Sequence, residues 1–365
     1  MVSIGNPGNA PDTVQDVHGT GEYFVGSVDH VYRIGKYEVS AGQYTEFLNA
    51  VAKTDPNGLY SAEMANSGTP SFGANIQRSG SAPNYSYSIA ADWSHRPVNF
   101  VSFWDAVRFT NWLHNGQPIG SQGPGTTEDG AYHDVGNQTL FGRNAGARFF
   151  VPTEDEWYKP AYHNSDAGLA SNYFDFPTGS NSFPGTDITE ATNPGNNANS
   201  YPLGPYYRTA VGEFELSESP YGTFDQGGNV MEWNESVLSN SPRIRGGSFA
   251  FGLGMTRFFI SDLGDPMGES NTLGFRVAGI AQPGDRGDFN HDGFVNAADY
   301  VVWRKSGGTQ ADYDVWRGNF GGTFSGIGSG TEYAVVPEPS TALSVTSLII
   351  CVLLACRQAP FRNRV

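Results

Sequence analysis

Gly227-Gly228-Asn229-Val230-Met231-Glu232-Trp233-Asn234 is followed by Arg245-Gly246-Gly247-Ser248-Phe249, each stretch holding a pair of adjacent glycines. Glu232 sits between Met231 and Trp233, an apolar setting where a bare carboxylate is costly and a cation compensates. A bound metal or an arginine meets that need, and the sequence leaves both open. Outward from this stretch, short β-like runs fall around residues 32–39, 148–151, 243–249 and 274–278. Helix starts are legible as capping boxes: Ser40 with Gln43, Ser102 with Asp105, and Thr153 with Glu156. Behind the first, Tyr44, Phe47, Leu48 and Val51 make one apolar face. Residues 116–130 and 178–205 are Gly-, Asn-, Ser- and Pro-rich, and such lengths suit a compact fold only if the loops are themselves packed. The sum is an α+β domain with few regular elements.

Composition narrows the chemistry. A net charge of −16 disfavours phosphate binding through counterion release, so no nucleic-acid partner is expected. With 47 glycines, 13% aromatic and only 16% charged residues, the chain has the balance of a loop-rich extracellular domain. Both cysteines, Cys351 and Cys356, lie in the apolar run 342–356. Residues 1–350 therefore offer no disulfide, no thiolate metal site and no cysteine nucleophile. The seven histidines are scattered without helical i, i+4 spacing, and no Gly-x-Ser-x-Gly, Walker or His-Glu-x-x-His signature occurs.

Pro283-Gly284 opens a second region, where Ala298-Asp-Tyr-Val-Val-Trp-Arg304 recurs as Ala311-Asp-Tyr-Asp-Val-Trp-Arg317. Ahead of the first copy, Asp288, Asn290, Asp292, Asn296 and Asp299 place side-chain oxygens at loop positions one, three, five, nine and twelve, with Gly293 at six and the Phe294 carbonyl at seven. This is a set for calcium. Asp at the twelfth position makes the loop resemble a dockerin repeat; the second copy has lost its loop, so one site is expected. The resemblance implies a cohesin-like partner, and a plain structural spacer is the alternative. After a Gly/Ser linker, Val336-Pro337-Glu338-Pro339-Ser340, the apolar run and Arg357, Arg362 and Arg364 resemble a PEP-CTERM sorting tail. That resemblance implies an exosortase-type sorting protease as partner, export, and residence at the cell envelope or extracellular surface, held before processing by a transmembrane sorting helix. A simple single-pass anchor is the alternative. Export also requires a leader that the first residues do not supply, so the genuine start is expected upstream.

In the large domain six segments stand in a recognisable order: Tyr32–Tyr44, Arg96–Arg108, Val151–Trp157, Gly227–Asn234, Arg245–Phe249 and Gly274–Ala278. Together they resemble the formylglycine-generating, or sulfatase-modifying factor, family. The resemblance implies a C-type-lectin-like fold of packed loops, and the expected organisation is 1–18 N-terminal segment, 19–281 family domain, 284–323 calcium module, 324–335 linker and 336–365 tail.

In the oxidase members a copper-binding cysteine pair follows Arg-Gly-Gly-Ser. The corresponding residues here are Phe251 and Thr256, so no copper is expected. The resemblance further implies a structural calcium on Gly227, Gly228, Val230 and Glu232, with Asn199 as a remnant of a second site. Phe249, Phe251 and Arg257 are candidates for a ligand groove, core packing being the alternative. Glu213, Glu215, Glu218 and Asp225 read as a solvated acidic loop rather than a hydrolytic carboxylate pair. The expectation is an exported, non-oxidase binding protein for a glycan or peptide, the competing class being an enzyme of the family with a divergent active site.

Overall fold

In a computed structural model, residues 1–15, 21–66, 68, 72–187, 195–200, 206–281, 287, 289, 295–305 and 310–320 are described. The helices Ala41–Val51, Phe103–His114 and Glu154–Tyr162 each begin where the sequence placed a capping box, with both reciprocal hydrogen bonds present. Two orphan donors are thereby satisfied at each start. Phe47 and Phe109 meet edge to face at 5.3 Å, Phe109 reaches Phe275 at 5.4 Å, and the same core buries Tyr44, Leu48 and Val51. A smaller cluster packs Trp157, Tyr158, Ala161 and Tyr162 of the third helix against Val14 and Val25.

Among the described residues two four-stranded sheets and three two-stranded ribbons carry the rest. In one sheet, Tyr32–Ile34 lies between Val2–Ile4 and Ala278–Ile280, so Ile34 faces Val2 on one side and Ala278 on the other. Phe149–Phe150 completes that sheet. The other centres on Met231–Leu238, antiparallel to Ser241–Arg245 and parallel to Leu273–Gly274, with Asp262–Leu263 at the edge. The strands are shorter than their apolar runs. Ser241–Arg245 stops where Gly246 and Gly247 adopt φ of 100° and 65°, a conformation that leaves the extended region.

The polar loops pack because buried side chains hold their backbone. Asn111 donates to Thr127 O at 2.9 Å and Tyr132 O at 3.2 Å while accepting from Tyr132 N at 2.7 Å. Asn115 likewise ties Thr126 O and Asp129 O to the end of its helix. These amides satisfy main-chain groups that a long loop otherwise leaves unpaired.

The duplicated segments form the helices Ala297–Lys305 and Gln310–Asn319. The repeat shows in the packing: Tyr300 meets Trp316 at 5.2 Å, and Trp303 meets Tyr313 at 5.3 Å. The chain divides into two units, Met1–Phe324 and Ser325–Val365. The apolar run 342–356 and the sorting motif lie outside the described residues. Among the described residues no helix is long and apolar enough to cross a membrane.

Candidate functional site

Glu232 is fully buried, and its carboxylate is taken by Arg276, whose Nε and Nη2 donate at 2.6 and 2.7 Å. Trp157 Nε1 adds a third hydrogen bond at 2.7 Å. Arg276 also donates to Gly35 O and Phe224 O, so the guanidinium ties its own segment to Gly35 and to the stretch from Phe224 to Glu232. The turn before the strand is close-packed. Gly228 has φ 92°, and a Cβ there would stand 2.3 Å from Asn199 O.

Two more acids face the same guanidinium. Glu38 is buried with neither carboxylate oxygen hydrogen-bonded, and desolvation, reinforced by Asp225 and Glu232, pushes its carboxyl well above the usual range. Asp225 accepts from Gly212 N at 2.6 Å, and burial raises its carboxyl to about 6. Glu213, Glu215 and Glu218 remain exposed, but Asp225, expected to be solvated with them, is instead desolvated against Arg276 and the Gly212 amide.

Fit to the groups implied by the resemblance can be judged from these contacts. Both oxygens of Glu232 are engaged by a cation already, so the proposed set Gly227, Gly228, Val230 and Glu232 does not offer a free carboxylate to calcium. The arginine is the cation that the apolar setting required. Around Asn199, whose Nδ2 donates to Tyr207 O, the sequence 205–209 carries no acid to complete a second calcium set. At the cysteine-equivalent positions, Thr256 is buried and its Oγ1 donates to Leu253 O at 2.8 Å, while Phe251 is 38% exposed. An aromatic ring and a hydroxyl already hydrogen-bonded do not fit copper, which soft thiolate ligands hold in the oxidase members.

The groove candidates separate. Phe249 is buried against Phe72 and Tyr207, at 5.7 and 6.3 Å. Phe251 reaches solvent. Arg257 pairs with Asp175 at 3.2 Å and lies 5.2 to 5.6 Å from the ring centroids of Phe176, Phe183 and Phe259. Phe183, which the sequence did not single out, is 58% exposed beside it. In the calcium loop, Asp288, Asn290, Asp292 and Phe294 lie outside the described residues. Asp299 is buried and accepts from Asn296 N at 2.7 Å, and Ala298 N donates to Asn296 Oδ1, so these two residues start the helix. Among the described residues no group of three or more His, Cys, Asp or Glu side chains is arranged to hold a metal.

The sulfatase-modifying factor enzyme 1-like domain matches residues 26–280, and the chain belongs to that family. Solved structures similar to it include the crystal structure of CarF, with 20% identity, 77% of this chain and 98% of that chain covered, and a TM-score of 0.46. Treponema denticola variable protein 1 is similar at 18% identity, covering 77% of this chain and 95% of its own, with a TM-score of 0.44. PvdO from Pseudomonas aeruginosa is similar at 16% identity, with coverages of 75% and 92% and a TM-score of 0.42. No curated protein matches the chain.

Proposed function

We propose that this chain is a non-oxidase member of its family, a binding protein for a glycan or peptide at the cell surface. The observation that carries the reading is the pair Phe251 and Thr256 in a domain without a single thiol before Cys351. Formation of formylglycine from cysteine needs an oxidant-activating centre, and soft Cu(I) selects thiolate ligands that this domain lacks. Phe183 supplies instead exposed aromatic surface beside Arg257, and Phe251 a further exposed ring, which suits CH and amide faces of a ligand. Incubation with a sulfatase-motif peptide tests the reading: the peptide cysteine should stay unchanged.

Export and membrane retention through the 336–365 tail, with an exosortase-type protease as processing partner, form part of the same proposal. So does calcium in the loop Asp288, Asn290, Asp292, Phe294, Asn296 and Asp299, which would hold the helical module in shape for a cohesin-like partner. Calcium titration of the full chain should show a site whose affinity falls at least about tenfold in Asp288→Ala/Asp292→Ala, since two of its charged ligands are gone. An isotherm unchanged by that double substitution removes the loop from the account.

A further inference from the structure

Arg208 is a buried cation without a carboxylate partner among the described residues. Its side chain is buried, with 1% of the residue exposed. Its two terminal nitrogens donate to Phe72 O and Gly73 O, backbone carbonyls that satisfy hydrogen bonds but carry no charge. The Nε–H has no acceptor. Among the described residues the one charged group acting on Arg208 is another cation, Arg96, and with burial it draws the guanidinium down to about 9, still protonated at neutral pH. In a chain of net charge −16, a desolvated arginine without a counterion is a conspicuous expense.

The neighbouring side chains are basic and aromatic. Arg96 donates from Nη1 to the Arg208 carbonyl and stacks 3.8 Å from the Tyr206 centroid, with the charges of Glu213 and Asp92 also acting on it. Phe72 and Tyr207 pack at 4.2 Å and are half-buried. Both hold φ near +50° to +60°, at 52° and 63°, a conformation that bulky residues keep only where their surroundings impose it. A second donor without an acceptor, Asn229 Nδ2, belongs to the side chain that accepts from Thr209 N.

We propose that Arg208, with Arg96 beside it, is an anion subsite that takes the carboxylate of the ligand. The Nε–H together with the remaining hydrogen of one terminal nitrogen makes the planar fork that pairs with a carboxylate through two parallel bonds. Tyr206, Tyr207 and Phe72 stand where the uncharged part of the same ligand meets aromatic surface. The inference rests on the binding reading and names its ligand chemistry, a carboxylate carried by an acidic sugar or by a peptide C-terminus.

Calorimetric titration of the full chain with galacturonate, galacturonate methyl ester and an N-acetylated dipeptide with a free C-terminus tests it. At least one carboxylate should bind saturably, with the methyl ester at least about tenfold weaker, and the stronger of sugar and dipeptide identifies the source. Arg208→Gln should abolish the preference for the charged form. If that variant does not fold, Arg96→Gln, on the half-buried rim, should weaken the carboxylate about threefold or more and leave the ester unchanged. Equal binding of acid and ester, or no binding of either carboxylate, overturns the subsite. That failure is distinct from failure of the non-oxidase reading, which oxidation of a peptide cysteine alone would show.

Discussion

Replacing Arg276 with methionine should destabilise the domain by about 3–5 kcal/mol, the usual cost of removing one partner from a buried ion pair. The substitution leaves Glu232 with Trp157 Nε1 as its remaining donor and strips Gly35 O and Phe224 O of theirs. It also removes the positive charge that Glu38 and Asp225 face. For a domain of this size the loss corresponds to a fall in Tm of about 10 °C, readable by circular dichroism. The double variant Arg276→Met/Glu232→Met should recover part of that, because no uncompensated charge remains at Glu232. A single-variant loss under about 1 kcal/mol would mean that the pair does not hold these segments together.

Stability should also decline as pH rises from about 4 to about 7, through Asp105. This carboxyl is buried at the start of Phe103–His114, and desolvation raises it to about 7 despite the hydrogen bonds from Ser102 N and Oγ. A folded-state pKa above the unfolded one favours the folded protein fully below about 4, and that contribution is lost as pH climbs through the folded value. The shift from 3.8 to about 7 corresponds to about 4 kcal/mol. Glu156 works in the opposite sense: burial pushes it up, but hydrogen bonds from His30 and Arg143 and the Arg143 charge bring it to about 2. Its contribution is present above about 4.5 and lost as pH falls toward 2. Urea unfolding of wild type and Asp105→Asn at pH 4 and pH 8 isolates the first effect. The variant should gain on the wild type by about 3 kcal/mol between the two, and a pH-independent difference would remove Asp105 as the cause.

Much of this was legible in the sequence where the signal is local. Ser40, Ser102 and Thr153 announced their helices because a cap and its reciprocal partner lie three residues apart. The order of six motifs indicated the family before any fold was seen. The Glu232 setting demanded a cation, yet the choice of Arg276 depends on a contact across 44 residues, which no local pattern encodes. Phe249 went to the core for a similar reason: its partners Phe72 and Tyr207 come from loops whose folding periodicity does not describe. Arg208 left no trace as a functional residue. Its distinction is the absence of an acid around it in space, and linear proximity says nothing about that.

The account's central claim is that this family domain binds without oxidising. The most direct measurement incubates the full chain, with and without copper, with a peptide carrying a sulfatase cysteine motif, and follows peptide mass against a cysteine-bearing oxidase of the family as control. With no thiol before Cys351, and Phe251 and Thr256 at the cysteine-equivalent positions, the peptide should keep its cysteine under both conditions while the control converts it. Copper-dependent appearance of the aldehyde in the sample with this chain would contradict the claim.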